Sequence, residues 1–165
     1  MENWRNDRIG SAERGVNPLL IARMPSGFVV IGDTQFLPGY CVLLASPKVG
    51  QLSDLPLGAR SQFLLDMSLL GEAIERACQP DGLRRVNYEI LGNTDAYLHA
   101  HIFPRYRWEP SERSGWPVWL YPQDRWTDAQ YSYDDEVHGP LRTRIGDALR
   151  LVMRQARGVD FADTP

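Results

Sequence analysis

The chain has 165 residues, 43% hydrophobic and 24% charged, which is the composition of one globular domain with enough apolar material for a single core. Its formal net charge of -3 speaks against a general nucleic-acid binder, which is usually basic, but leaves room for a local basic patch around a small phosphorylated ligand. Cys41 and Cys78 stand far apart in no metal-like spacing and read as free thiols of a reducing compartment.

The first segment, MENWRNDRIG, is charged and lacks the apolar stretch of a secretory signal. No apolar run reaches the roughly 18 residues of a membrane span. The expectation is a cytoplasmic protein with no membrane partner. No repeat or low-complexity tract is visible. The chain stays polar until NPLLIARM (17–24). GFVVIGD (27–33), β-branched and bounded by glycines, predicts a buried strand. The chain turns at Pro38-Gly39, and YCVLLASP (40–47) predicts a second strand in an antiparallel hairpin, ended by Pro47.

A long helix is predicted over 56–79, with Phe63, Met67, Leu70, Ile74 and Ala77 on one stripe. Arg60, Asp66, Glu72 and Arg76 lie mostly off it. Gln79-Pro80-Asp81-Gly82 supplies the stop. RRVNYEIL (84–91) alternates, with Val86, Tyr88 and Ile90 facing one way and Asn87 and Glu89 the other. After the turn Gly92-Asn93-Thr94-Asp95 comes YLHAHIFPR (97–105), a strand predicted to close at Pro104. Residues 106–137 are rich in Trp, Tyr, Pro and Asp and suggest an irregular packed extension. A helix is expected to start at Pro140, with Leu141, Ile145, Leu149, Val152 and Met153 as its apolar stripe and Arg142, Arg150, Arg154 and Arg157 on its polar face. The tail FADTP is expected to fray. Strands, a helix, more strands and a helix predict an α+β fold with an antiparallel sheet.

Two of the three histidines sit in the 97–105 strand. Alternation puts Leu98, Ala100 and Ile102 on one face, against the long helix, and Tyr97, His99 and His101 on the other, turned away from the core. That face admits three readings: hydrogen-bonded core histidines, an inert polar surface pair, or a metal site. The metal site would need Glu89, Asp95 or the distant His138, and no close-spaced cluster brings them in.

YLHAHIFPRY resembles the signature strand of the histidine triad family, His-x-His-x-His followed by two apolar residues and often Pro-Arg. LPGYCVLLASP is similar to that family's Pro-Gly turn and second strand, and NYEILGNT to its nucleotide-contacting strand and turn. GFVVIGDTQFLPGY resembles the first hairpin of bacterial members, and RIGSAERGVNP the short N-terminal helix with Gly-x-x-Pro. The resemblance covers about residues 8–106 and is to the bacterial diadenosine tetraphosphate hydrolase-like branch. It implies a sheet of about five strands with a long helix, a domain over 1–106, and a packed C-terminal extension over 107–165. It also implies a homodimer with sheets joined across a two-fold axis.

The implied activity is cleavage of nucleotides at the α-phosphorus through a nucleotidyl-histidine intermediate. His99 takes the second triad position, the nucleophile, and His101 the third. Tyr97 stands where the family has its first histidine. The expected substrates are dinucleoside polyphosphates or nucleoside phosphoramidates; the competing expectation is a nucleotide-binding module with little turnover. No cofactor is implied, and the Cys-x-x-Cys of zinc-binding members has no counterpart near Ile9.

An imidazole, with a reference pKa of about 6.5, suits this chemistry near neutral pH. Attack needs one ring nitrogen free and the other held, and a nucleotidyl intermediate splits one hard displacement into two easier ones. Developing charge needs donors in place, and His101 is the first expected. By the resemblance Asn93 and Thr94 contact phosphates or the leaving group, and Asn87 is a further polar contact. Each also reads as an ordinary turn or strand residue. Tyr97 can donate a hydrogen bond but not act as an acid near pH 7, so altered leaving-group preference is expected. Asp33 is either a ribose acceptor or a plain turn aspartate, and Phe28 and Ile31 are candidates for the base pocket. Trp116, Trp119 and Tyr121 either pack the extension onto the sheet or stack a second base.

Overall fold

The computed structural model describes residues 4–157. FADTP lies outside them. Helix α1 (Arg8–Glu13) is capped by Asp7, whose carboxylate accepts from the Gly10 amide at 3.0 Å. Strands β1 (Leu20–Met24), β2 (Gly27–Ile31) and β3 (Cys41–Ala45) follow. Helix α2 (Leu57–Cys78) leads to β4 (Leu83–Glu89) and β5 (His99–Tyr106). The five strands form one antiparallel sheet in the order β1-β2-β3-β5-β4, an α+β architecture. The histidine-bearing β5 is therefore an interior strand, which is why its residues are almost all buried.

The remaining chain adds short helices α3 (Ser111–Ser114) and α4 (Asp124–Thr127) and the long α5 (Asp135–Arg157). Helices α2 and α5 pack together on one sheet face, sharing a core with Leu43, Ala100 and Ile102. Leu141, Ile145, Leu149 and Val152 supply the buried stripe of α5, as their spacing predicts. The predicted stripe of α2 is likewise buried. Helix α1 and residues 107–134 cover the opposite face.

Four local features differ from the sequence reading, each for a physical reason. First, the unassigned 17–24 segment contributes β1, an edge strand whose half-exposed side chains leave no alternation to read. Second, Asp66 is buried at 1% exposure rather than lying off the stripe of α2. It accepts from the Ser26 amide at 2.8 Å and hydroxyl at 2.6 Å, holding the β1–β2 turn. Third, β5 runs through Pro104 to Tyr106. Leu98, with the same parity, turns its backbone toward β3, where its carbonyl accepts from Ala45. The pairing with β3 ends at Ile102, so the missing N–H of Pro104 faces no partner strand. Fourth, α5 starts five residues before Pro140, because Asp134 caps it by accepting from the Glu136 and Val137 amides at 2.9 and 3.1 Å.

No helix among the described residues is long and apolar enough to cross a membrane.

Candidate active site

Side chains of β5 alternate as expected. Leu98, Ala100 and Ile102 are buried in the helix-side core, and Tyr97, His99, His101 and Phe103 occupy the opposite face. The register sets Leu44 opposite His99 and Val42 opposite His101, with Glu89 of β4 on the other side of His101. This face is not the open one that the sequence suggests. His99 is only 6% exposed, its ring flanked by those of Tyr97 and His101, and the extension roofs His101. The Trp119 indole stands edge-on to His101, ring centroids 5.0 Å apart, and stacks on Trp126 at 4.7 Å and 11°. Its Nε1 donates to the Glu89 carboxylate.

Three sets of contacts hold the roof down. Arg105 and Glu109 form a buried ion pair, the guanidinium Nη2 2.8 Å from the carboxylate. Arg105 also donates to Asn87 Oδ1 at 3.0 Å and to the Trp116 carbonyl at 2.9 Å, and Tyr121 donates to Glu109 at 2.7 Å. The Phe36 ring sits among Tyr121, Trp126 and Tyr131, with centroids 5.1, 4.8 and 6.4 Å away. The backbone joins too: the Gln35 amide donates to the Tyr131 carbonyl at 2.6 Å, and Tyr133 donates to Asp33 at 2.8 Å.

Between sheet and roof lies a cavity of about 180 Å3. Val30, Val42 and Leu44 give it an apolar wall, Trp119 and Trp126 an aromatic one, and Arg8, Asp33, Asp95 and Tyr97 a polar rim around the two histidines.

The two imidazoles are held in different ways. His99 Nδ1 lies 2.7 Å from the Tyr97 carbonyl oxygen. A carbonyl only accepts, so Nδ1 carries the proton and the Nε2 lone pair is left free for the cavity. His101 Nδ1 lies 2.6 Å from the Tyr40 hydroxyl. Burial of Tyr40 pushes its pKa well up, so the phenol keeps its proton. Where the phenol donates to Nδ1, the His101 tautomer carries its proton on Nε2 and presents Nε2–H as a donor. Tyr40 in turn depends on Gly32, where an added Cβ would fall 2.1 Å from its ring.

Burial, with the neighbouring His99 as a second cause, pulls the His101 pKa down to about 4. The unfolded chain, near the ordinary 6.5, then binds the proton more tightly between those two values. Stability is therefore expected to fall as pH drops from about 6.5 toward 4, by on the order of 3 kcal/mol from this residue. Urea titrations of wild type and His101→Phe at pH 7 and pH 4.5 check this. The wild type should lose more than the variant between the two pH values, and parallel losses would contradict it.

The structure brings together His99, His101, Tyr97 and Asp33 at one cavity. Asp33 is held by Arg8, which donates to its two oxygens at 2.9 and 2.6 Å. Asn87, Asn93 and Thr94 do not line the cavity. Asn87 shares the histidine face but is drawn to Arg105, beneath the extension. Asn93 and Thr94 are exposed in a turn beyond the end of β4, with no strand partner to hold them over the site, and Asp95 lines the cavity instead. Ile31 lines it and Phe28 does not. Trp119 packs the extension on the sheet against His101 and Phe103, Tyr121 packs on Phe36 in the β2–β3 connection, and Trp116, 53% exposed, contributes its carbonyl. His138 interacts with Asp134 and Tyr133, away from the cavity. Among the described residues no three His, Cys, Asp or Glu side chains converge as metal ligands do.

Sequence reasoning missed Tyr40, Arg8 and Trp126. A signal for Tyr40 existed: it shares the parity of Val42, which stands opposite His101. Arg8 and Trp126 reach the cavity through tertiary packing alone.

No family model matches the sequence, and no curated protein matches it. Solved structures do. The chain is similar to a histidine triad protein from Sinorhizobium meliloti 1021, at 16% identity and a TM-score of 0.67, over 90% of this chain and 96% of that one. It is similar to a histidine triad protein from Marinobacter aquaeolei VT8, at 19% identity and 0.64, over 81% and 89%. It is also similar to a hypothetical histidine triad nucleotide-binding protein from Sulfolobus tokodaii strain7, at 13% identity and 0.65, over 93% and 98%. The fold is that of histidine triad proteins.

Proposed function

We propose that this chain is a histidine triad nucleotide hydrolase or nucleotidyl transferase that cleaves at the α-phosphorus through a nucleotidyl-His99 intermediate. One observation carries the reading: His99 has Nδ1 committed to the Tyr97 carbonyl at 2.7 Å, which leaves Nε2 free at a cavity with an apolar wall and a polar rim. In the first step Nε2 attacks the α-phosphorus, and the bond to the leaving group breaks with its electron pair. The positive charge that forms on the imidazole is held by the Nδ1–H contact with the carbonyl. His101, through Nε2–H, donates to a phosphoryl oxygen as negative charge gathers there. In the second step water attacks phosphorus, the N–P bond breaks, the electron pair returns to Nε2, and a water proton is lost. The apolar wall and the Trp119–Trp126 pair suit a base, for which aromatic stacking is worth about 1–3 kcal/mol.

Substrates are dinucleoside polyphosphates or nucleoside phosphoramidates, and the setting is cytoplasmic. Residues 1–106 act as the catalytic unit and 107–165 as its extension. The outer edge of β4 is open in the sheet order and suits pairing across a homodimer two-fold. A nucleotide-binding module with little turnover is the second reading. Tyr97 favours it, since burial pushes its hydroxyl up to about 12 and removes it as an acid.

The test is AMP release from diadenosine tetraphosphate with and without chelator. Release that resists chelator is expected. Nucleotide binding without release favours the second reading, and release abolished by chelator would contradict a metal-independent His99 mechanism.

A further inference from the structure

We propose that the small pocket beyond Tyr97, bordered by Arg8 and Lys48, receives the phosphates on the leaving side of the scissile bond, so that polyphosphate anhydrides are preferred over phosphoramidates. This rests on the nucleotidyl-His99 reading. The pocket, about 80 Å3, shares Arg8, Asp95 and Tyr97 with the main cavity and adds Arg5 and Lys48. Along the chain into β5 the order is Tyr97, just before the strand, then His99 and His101, and the tryptophan pair lies at the His101 end. A base at the tryptophan end and an α-phosphorus at His99 leave the remaining phosphates heading past Tyr97.

There the Lys48 ammonium stands over the Tyr97 ring, 5.4 Å from its centroid. Among the described residues it forms no ion pair with a carboxylate. Arg8 gives two of its five N–H groups to Asp33 and keeps others for a phosphate oxygen. Asp95 and Asp7 also line the pocket, but Asp7 is paired with Arg14 at 3.4 Å.

The proton inventory points the same way. An anhydride breaks its P–O bond and leaves as a phosphate oxyanion, which needs charge but no proton. A phosphoramidate breaks its P–N bond and leaves an amine that must be protonated. His101, pulled down to about 4, and Tyr97, pushed up to about 12, give no such proton near pH 7.

The experiment compares kcat/KM on diadenosine tetraphosphate and on an adenosine 5′-phosphoramidate for wild type, Lys48→Met and Lys48→Arg. Lys48→Met is expected to lose about tenfold on the tetraphosphate and to be unchanged on the phosphoramidate, and Lys48→Arg to keep most of the rate. Equal effects on both substrates, or none, would overturn the proposal. Tyr97→His, which brings in a group able to titrate near pH 7, should shift the ratio toward the phosphoramidate. An unchanged ratio counts against the proton inventory. Calorimetry of inorganic tripolyphosphate with the His99→Ala protein, with and without Lys48→Met, separates the two claims. Weaker binding in the Lys48 variant upholds the pocket whatever the turnover, and binding that ignores Lys48 overturns it. Absence of turnover in wild type on both substrates would overturn the nucleotidyl-His99 reading instead.

Discussion

Replacing His99 by alanine is expected to lower α-phosphorus cleavage by about 10^4-fold or more while nucleotide binding persists. The side chain is the one imidazole at the cavity whose Nε2 is left as an acceptor, because its Nδ1–H is spent on the Tyr97 carbonyl. His101 cannot take over. Its Nδ1 is engaged by Tyr40, and with the phenol as donor its Nε2 carries the proton, so that tautomer offers no lone pair to phosphorus. The cavity walls, Val42, Leu44, Trp119 and Trp126, are untouched by the substitution, so affinity for a nonhydrolysable nucleotide should stay near wild type. Equal rates in wild type and variant would remove His99 from the chemistry.

The second large effect concerns the fold. Glu109→Ala is expected to destabilise the protein by about 3–5 kcal/mol, because it strands the Arg105 guanidinium, 2% exposed, without its counter-charge. It also removes the acceptor of the Tyr106 amide at 2.6 Å and of the Tyr121 hydroxyl at 2.7 Å. Domains of this size hold about 5–15 kcal/mol in all, so the urea midpoint should fall by on the order of 2 M. Since this ion pair fastens the roof beside Trp119, the remaining folded fraction should also bind nucleotide less well. A double change to Arg105→Met with Glu109→Leu should recover only the part of the loss that comes from the stranded charge, because the Tyr106 amide stays without its acceptor and the Trp116 carbonyl without its donor. An unchanged midpoint in Glu109→Ala would contradict the role given to the clamp.

Much of this arrangement is legible in the sequence because it is local. The alternation of Leu98, Ala100 and Ile102 against His99 and His101 is a property of consecutive residues, and so is the stripe of α2. The strand at 27–31, the helix at 57–78 and the histidine strand follow from such patterns. What escaped depends on partners far along the chain. Asn87 reads as a polar strand residue, and only the tertiary fold brings it to Arg105, 18 residues away. Trp119 and Trp126 stand in a segment with no periodicity, so neither their stacking nor their place over His101 and Phe103 has a local signature. Prolines misled twice. Pro104 is tolerated where β5 outruns β3, and Pro140 where the Asp134 cap has already started α5. In both cases the deciding fact is which backbone groups lack partners, and pairwise sequence rules do not carry it.

The most direct measurement is the capture of the intermediate itself. Wild-type protein mixed with diadenosine tetraphosphate would be quenched in base, where phosphoramidates survive, and its intact mass and peptides read by mass spectrometry. The expected result is one AMP group per chain, on the peptide containing His99, absent from His99→Ala and lost on acid treatment. AMP released with no adduct at any quench time, or an adduct on another residue, would contradict the nucleotidyl-His99 mechanism.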